Sequence, residues 1–205
     1  RGDVNLNGKK YTLAGSDFTL TNEKLSHAMH GLSVKSHTQG TWDWEVAASL
    51  YDYSKDEKRS SGSTNSLPTS ASGGAGTLAD GNGTGWNTLA LKGIWRPQGI
   101  SGAHLVDFGF QQDSYKLNYR TSNIAGNWLS DAGGALANEV GGKSVTQSLY
   151  GQDAWTFDPQ WKAVLGARLE SWTASNGFTT FGTGNTAGAP NASYAARTEN
   201  FVSPK

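Results

Sequence analysis

The residues whose types suit chemistry stand apart from one another in this chain. His27 and His30 would share one face of a helix and begin a metal site there, but on a strand they point to opposite faces. Asp107, Asp113, Asp153 and Glu170 are the carboxylates available for acid–base work. They lie in stretches of alternating apolar and polar residues, where solvated charges on a sheet face are the expected role. Gly81-Asn82-Gly83-Thr84-Gly85 has the glycines of a phosphate loop but lacks the Lys-Ser/Thr and the helix that follow in one. A mobile loop is expected there. No G-x-S-x-G elbow occurs, and the Cys count of 0 removes thiol catalysis, thiolate metal sites and disulfides together. Asn82-Gly83-Thr84 and Asn191-Ala192-Ser193 match glycosylation acceptors, and Arg1-Gly2-Asp3 an adhesion tripeptide, by pattern alone. No catalytic residue, metal or cofactor is expected.

The segments that carry these residues are more informative than the residues themselves. In 148–172, SLYGQDAWTFDPQWKAVLGARLESW, two alternating runs meet at Asp158-Pro159-Gln160. Trp161, Ala163, Leu165, Ala167 and Leu169 fall on one face, and Lys162, Arg168 and Glu170 on the other. Such a hairpin suits a soluble sandwich with its oily side in, or a membrane barrel with its oily side out. Composition narrows the choice. The 205 residues carry a formal net charge of 0, against a nucleic-acid partner found by bulk electrostatics. No apolar run approaches the roughly 20 residues of a membrane-spanning helix. The mean hydropathy of -0.53 is that of a soluble average. Membrane strands expose only every second residue to lipid, however, so the average does not exclude them.

Strands are predicted at about 25–36, 41–53, 86–96, 104–118, 145–157 and 161–172, with a weaker one at 9–13 and another beginning at Arg197. Connections near 37–40, 97–103 and 158–160 are short; those at 54–85, 119–144 and 173–196 are long. In an up-and-down antiparallel meander this alternation puts every short turn at one end of the sheet and every long loop at the other. Outer-membrane barrels have that asymmetry. A soluble sandwich has no reason to sort its loops by parity.

Aromatic placement suggests two girdles at the membrane boundaries. Trp42, Trp44, Trp95, Phe157 and Trp161 stand at the short-turn end, and Tyr51, Tyr53, Trp86, Tyr115, Tyr119 and Trp172 toward the long loops. Trp42, Trp44, Val46, Ala48 and Leu50 share a face, as do Leu89, Leu91, Gly93 and Trp95, and Val106, Phe108 and Phe110. The opposite, polar face with Asp43, Glu45, Lys92, Asp107, Lys162, Arg168 and Glu170 would line a watery lumen. Asp153 breaks the pattern by sharing parity with Leu149 and Trp155, through either a bulge or a position at the interface.

Several of these runs resemble a known family. Leu149-Tyr150-Gly151-Gln152-Asp153-Ala154-Trp155-Thr156-Phe157, then Trp161, then Gly166-Ala167-Arg168-Leu169-Glu170, is similar to a recurrent barrel pattern of TonB-dependent outer-membrane receptors. His30-Gly31-Leu32, Trp42-Asp43-Trp44 and Ser49-Leu50-Tyr51-Asp52-Tyr53 are similar too, as is Asn200-Phe201-Val202-Ser203-Pro204-Lys205. The resemblance covers most strands and fails in the long loops. It implies an all-β section of a large transmembrane barrel, of about 22 strands in the family, in the outer membrane of a Gram-negative bacterium.

By the same resemblance the receptor imports a scarce ligand such as a ferric siderophore. Its partners would be outer-membrane lipid, that ligand, and TonB acting through a plug region; no nucleic acid and no enzymatic activity are implied. No plug-like segment or TonB-contacting box is found, so 1–205 is expected to be a partial barrel segment. Long-loop aromatics Trp128, Phe178, Phe181 and Tyr194 are the expected ligand contacts. Two other readings stay open. A soluble all-β carbohydrate-binding module would bury the Trp42/Val46/Leu50 face, and a β-rich glycoside hydrolase would need two converging carboxylates.

Overall fold

A computed structural model describes residues 2–14, 17–183 and 188–205. The chain starts with a separate hairpin of β1 (Gly2–Leu6) and β2 (Lys9–Leu13). Asn7 and Gly8 turn it with φ of 50° and 79°, the left-handed pair that a two-residue hairpin turn requires.

All remaining strands join one antiparallel sheet. They are β3 (Thr21–Lys35), β4 (Trp42–Ser61), β5 (Gly76–Asp80), β6 (Gly85–Trp95), β7 (His104–Ile124), β8 (Leu136–Asp158), β9 (Trp161–Phe181), β10 (Ala192–Tyr194) and β11 (Arg197–Pro204). The order across the sheet is β10-β9-β8-β7-β5-β4-β3; β6 continues β5 between β4 and β7, and β11 continues beside β10 along β9. Among the described residues β3 pairs only with β4, and β10 and β11 only with β9, so this sheet is open at both sides. Every neighbour pair is antiparallel and follows the chain, the meander expected from the loop parity.

Register makes the faces explicit, because residues directly opposite one another project to the same side. One row runs Val34–Val46–Leu91–Phe110–Leu149–Leu169–Val202 across β3, β4, β6, β7, β8, β9 and β11. This face is apolar and open to the surroundings: Leu149 is 59% and Leu165 65% exposed. The polar face is the more covered one, with Asp43 at 4%, the pattern of a sheet curled toward its polar side. Ile124, Trp128 and Ala154 are the buried apolar residues among those described. A soluble sandwich would seal its apolar face, since each large side chain left in water forgoes roughly 1.5–3 kcal/mol. The oily side points out.

The strands outrun their expected ends. β4, β7, β8 and β9 have 20, 21, 23 and 21 residues, whereas a tilted membrane strand needs about 9–11. The apolar band occupies only the part nearest the short turns: 42–50 on β4, 106–110 on β7, 149–157 on β8 and 161–169 on β9. Farther along, the same face of β7 continues as Gln112, Ser114, Lys116, Asn118 and Arg120. There the outward face is polar, and the apolar alternation that marks the band no longer continues along it.

Candidate functional site

The short-turn end is closed by a charged clamp. Asp43 Oδ1 accepts hydrogen bonds from Ser36 Oγ (2.8 Å), Thr38 N (2.8 Å) and Thr38 Oγ1 (3.0 Å), fixing the β3–β4 turn. Its Oδ2 receives Arg96 Nη1 at 2.7 Å, and the same guanidinium nitrogen reaches Gly40 O at 3.1 Å. Two short connections are thereby tied into one rim. At the next short turn, Gln160 N donates to Asp158 Oδ1 at 3.0 Å, closing β8 onto β9 over Pro159 and Gln160.

From that rim a polar strip climbs the covered face. Glu45 stands opposite Lys92, and Lys92 Nζ reaches Asp107 Oδ1 at 3.3 Å. Gln152 Nε2 donates to Asp107 Oδ2 at 3.1 Å, and Lys205 Nζ to Gln152 Oε1 at 2.8 Å. Arg168 holds Glu170 through Nε (2.9 Å) and Ser148 Oγ through Nη2 (2.7 Å). Lys162 stands opposite Thr156 on the same side. The other six polar residues singled out from the sequence therefore share one face with Asp43. Their bonds run mostly between strands, so they brace the sheet.

Above this strip lies a cluster that sequence reasoning misplaced. Tyr51, Tyr53, Trp86, Tyr115 and Trp172 were expected as an outward girdle. Register puts Tyr51 opposite Trp86, Trp86 opposite Tyr115, and Trp172 opposite Thr146, on the face of Asp43. They face away from the apolar band because their parity is that of the polar residues below them. Tyr51 and Trp86 stack with centroids 4.1 Å apart, and His27 stacks on Tyr53 at 3.9 Å. Tyr51 and Tyr53 meet edge-on at 5.6 Å. Trp86 and Tyr115 keep more than a third of their surface open. The result is an aromatic shelf with free ring area on the polar face. Tyr119 continues the parity of Tyr115. At the short-turn end the outward placement holds: Trp42 stacks on Trp95 at 5.6 Å on the apolar face, and Trp155 packs against Phe157 at 5.3 Å.

The four long-loop aromatics part company. Trp128 is 2% exposed, donates its indole Nε1–H to Ser70 O at 2.8 Å, and receives Arg59 Nη1 on its carbonyl at 3.1 Å. Its ring locks segments 62–75 and 125–135 together and presents no surface to a ligand. Phe178 lies over Gly141 and is half-buried, as is Phe181. Tyr194 is 60% exposed beside Gly177.

Other expectations are corrected or placed. Residues 81–85 form an in-sheet bulge between β5 and β6 rather than a mobile loop. Asn82 Oδ1 accepts Asp56 N at 2.6 Å, Thr84 Oγ1 donates to Asn118 O at 2.8 Å, and Gly83 sits at φ 76°. The bulge keeps the strand in line between β4 and β7. His27 and His30 stand opposite Tyr53 and Leu50, hence on opposite faces. Asp153 stays on the apolar face without a register shift, and its Oδ2 binds His104 Nδ1 at 2.7 Å beside Trp155. The remaining carboxylates do not converge: Asp107 is held by Lys92, Asp113 by Gln111, and Glu170 by Arg168. Beyond the bulge, the hydrogen bond and charge of Glu23 hold the Lys58 ammonium above its usual range, tying β3 to β4. The Arg1-Gly2-Asp3 match begins on a residue outside those described.

Compared with known proteins, the chain matches the family model described as TonB dependent receptor-like, beta-barrel, over residues 2–205. It belongs to that family. No curated protein and no solved structure matches it. Proteins of the TonB-dependent receptor family are outer-membrane transporters of Gram-negative bacteria. A TonB-dependent receptor barrel also accounts for long strands carrying polar extensions on the loop side. The soluble sugar-binding alternative fails on the same exposed band.

Proposed function

We propose that this segment is a partial β-barrel wall of a receptor that binds and imports a scarce ligand such as a ferric siderophore. In this reading Asp43, Glu45, Lys92, Asp107, Lys162, Arg168 and Glu170 line the lumen. TonB acts on the receptor through a plug region outside residues 1–205, and the ligand enters from the long-loop side. The aromatic shelf of His27, Tyr51, Tyr53, Trp86 and Tyr115 supports this most directly, because it offers free ring surface between the loops and the charged strip. Rings there bind a large, partly apolar ligand by stacking without requiring a charge match. Tyr194 and the edge of Phe181 extend the contact surface nearer the loops, Phe178 stands opposite Gly141 on the outward face and drops out as a ligand contact, and Trp128 is left to hold the loops in place.

The test uses the receptor that carries this chain. Tyr51→Ala with Trp86→Ala should weaken binding of its ferric siderophore by about tenfold, from the loss of two stacking contacts. Trp86→Phe should retain most of the affinity. A doubly substituted receptor that remains folded and binds every siderophore of a panel unchanged would overturn the assignment.

A further inference from the structure

The outward face carries one pair of like charges that makes no ion pair among the described residues. Lys116 on β7 and Lys143 on β8 are directly opposite one another. Both are exposed, and neither makes an ion pair or hydrogen bond among the described residues. Their neighbours in the same row are Gly85 on β6 and Ser175 on β9, which bring no counter-charge; the nearest carboxylate of the row, Asp52 on β4, is two strands from Lys116 and three from Lys143. Like charges at opposed positions are destabilising in a sheet by themselves.

Their height on the wall is informative. On this face the last apolar pair is Phe110 with Leu149, and the next pair, Gln112 and Gln147, is joined by a 2.7 Å hydrogen bond. Ser114 and Val145 follow, and then the two lysines. At about 3.3 Å per residue and a tilt near 45°, the lysine backbones stand about 9 Å beyond the glutamine pair along the membrane normal. Flexible lysine stems reach several ångströms back toward the bilayer. The two ammonium groups therefore meet the polar layer of the leaflet on the long-loop side. Backbones about 5 Å apart let both bind one phosphate group. A phosphate monoester, with a charge of about −1.5 to −2 near neutrality, matches the pair.

We propose that Lys116 and Lys143 form a two-point clamp on the outer wall for the phosphate of a lipid headgroup in the external leaflet. The clamp rests on the outward assignment of the apolar band. It gives the wall a fixed lipid contact at one place on its circumference, on the opposite side of the sheet from the aromatic shelf.

The experiment reconstitutes the receptor carrying this chain into phosphatidylcholine vesicles with and without phosphatidic acid, whose headgroup is a phosphate monoester. Retained lipid is measured by native mass spectrometry after release. Wild type should retain phosphatidic acid in preference to phosphatidylcholine. Lys116→Gln with Lys143→Gln should lower that preference by roughly 25-fold, about fivefold for each lysine near a charged surface. Lys35→Gln, at the short-turn end, should leave it unchanged. Equal retention by wild type and the double variant would overturn the clamp, as would full competition by inorganic phosphate, which would mark a site for soluble anions. Failure of the outward assignment has a different signature, namely no stable insertion into either kind of vesicle.

Discussion

Val46 and Ala47 are adjacent on β4, share the same backbone environment, and project to opposite faces. Val46 lies midway along the apolar band, opposite Val34 and Leu91, with no acidic residue opposite it. Ala47 lies on the polar face, opposite Ser33 and Ala90, beside Glu45. Arginine at a lipid-facing site near the bilayer midplane costs roughly 2–4 kcal/mol. Val46→Arg should therefore reduce the folded-to-unfolded ratio in a bilayer by about 30- to 700-fold, at 1.4 kcal/mol per factor of ten. Ala47→Arg should cost less than about 1 kcal/mol, because its guanidinium stays in water near a carboxylate. Reversible guanidinium unfolding of the receptor in lipid vesicles, followed by tryptophan fluorescence, reads both. Equal losses, or a larger loss for Ala47→Arg, would refute the assignment of faces.

Three further outcomes follow from named contacts. Asp43→Ala strands the Arg96 guanidinium and frees the β3–β4 turn, so it should lower the denaturation midpoint more than Asp43→Ala with Arg96→Met does; equal midpoints would show the clamp to be idle. Trp128→Ala should destabilise the docked segments 62–75 and 125–135 by about 3–5 kcal/mol, seen as faster amide exchange there with the membrane strands unchanged. Replacing His104 and Asp153 together by leucine should leave the barrel at least as stable as wild type, whereas Asp153→Leu alone should weaken it, because the pair sits on the apolar face. Thermal melting in detergent separates those two variants.

Legibility in the sequence followed the physics of each region. Where one face is apolar and the other polar, as along 42–50 or 161–169, alternation is plain and the strands were readable. Farther out both faces are largely polar, so 54–61 of β4, 119–124 of β7, 136–144 of β8 and 173–181 of β9 looked like loops. The same uniform polarity hid β5 and made the 81–85 bulge look mobile, although its asparagine and threonine side chains bond the neighbouring strands. The aromatic shelf was misassigned for another reason. Tyr51 has the parity of Asp43 and Glu45 and is legible as polar-facing on that ground, but Trp86, which shares the parity of Thr88, was grouped with it in a membrane-boundary girdle by height alone. The hairpin of β1 and β2 left a signal that went unused, the Asn7-Gly8 pair between alternating runs. Burial of Trp128 had no signal at all, since it depends on contact with Ser70 far away in the chain.

The absence of cysteine makes the central claim directly measurable. Single cysteines placed one at a time through 42–50 in the receptor carrying this chain, spin-labelled and reconstituted into bilayers, report contact with oxygen in lipid or with a water-soluble nickel chelate. Oxygen contact should peak at Trp44, Val46, Ala48 and Leu50, and nickel contact at Glu45, Ala47 and Ser49, with a period of two residues. The reverse phase, or no alternation, would contradict an oily side that faces the membrane.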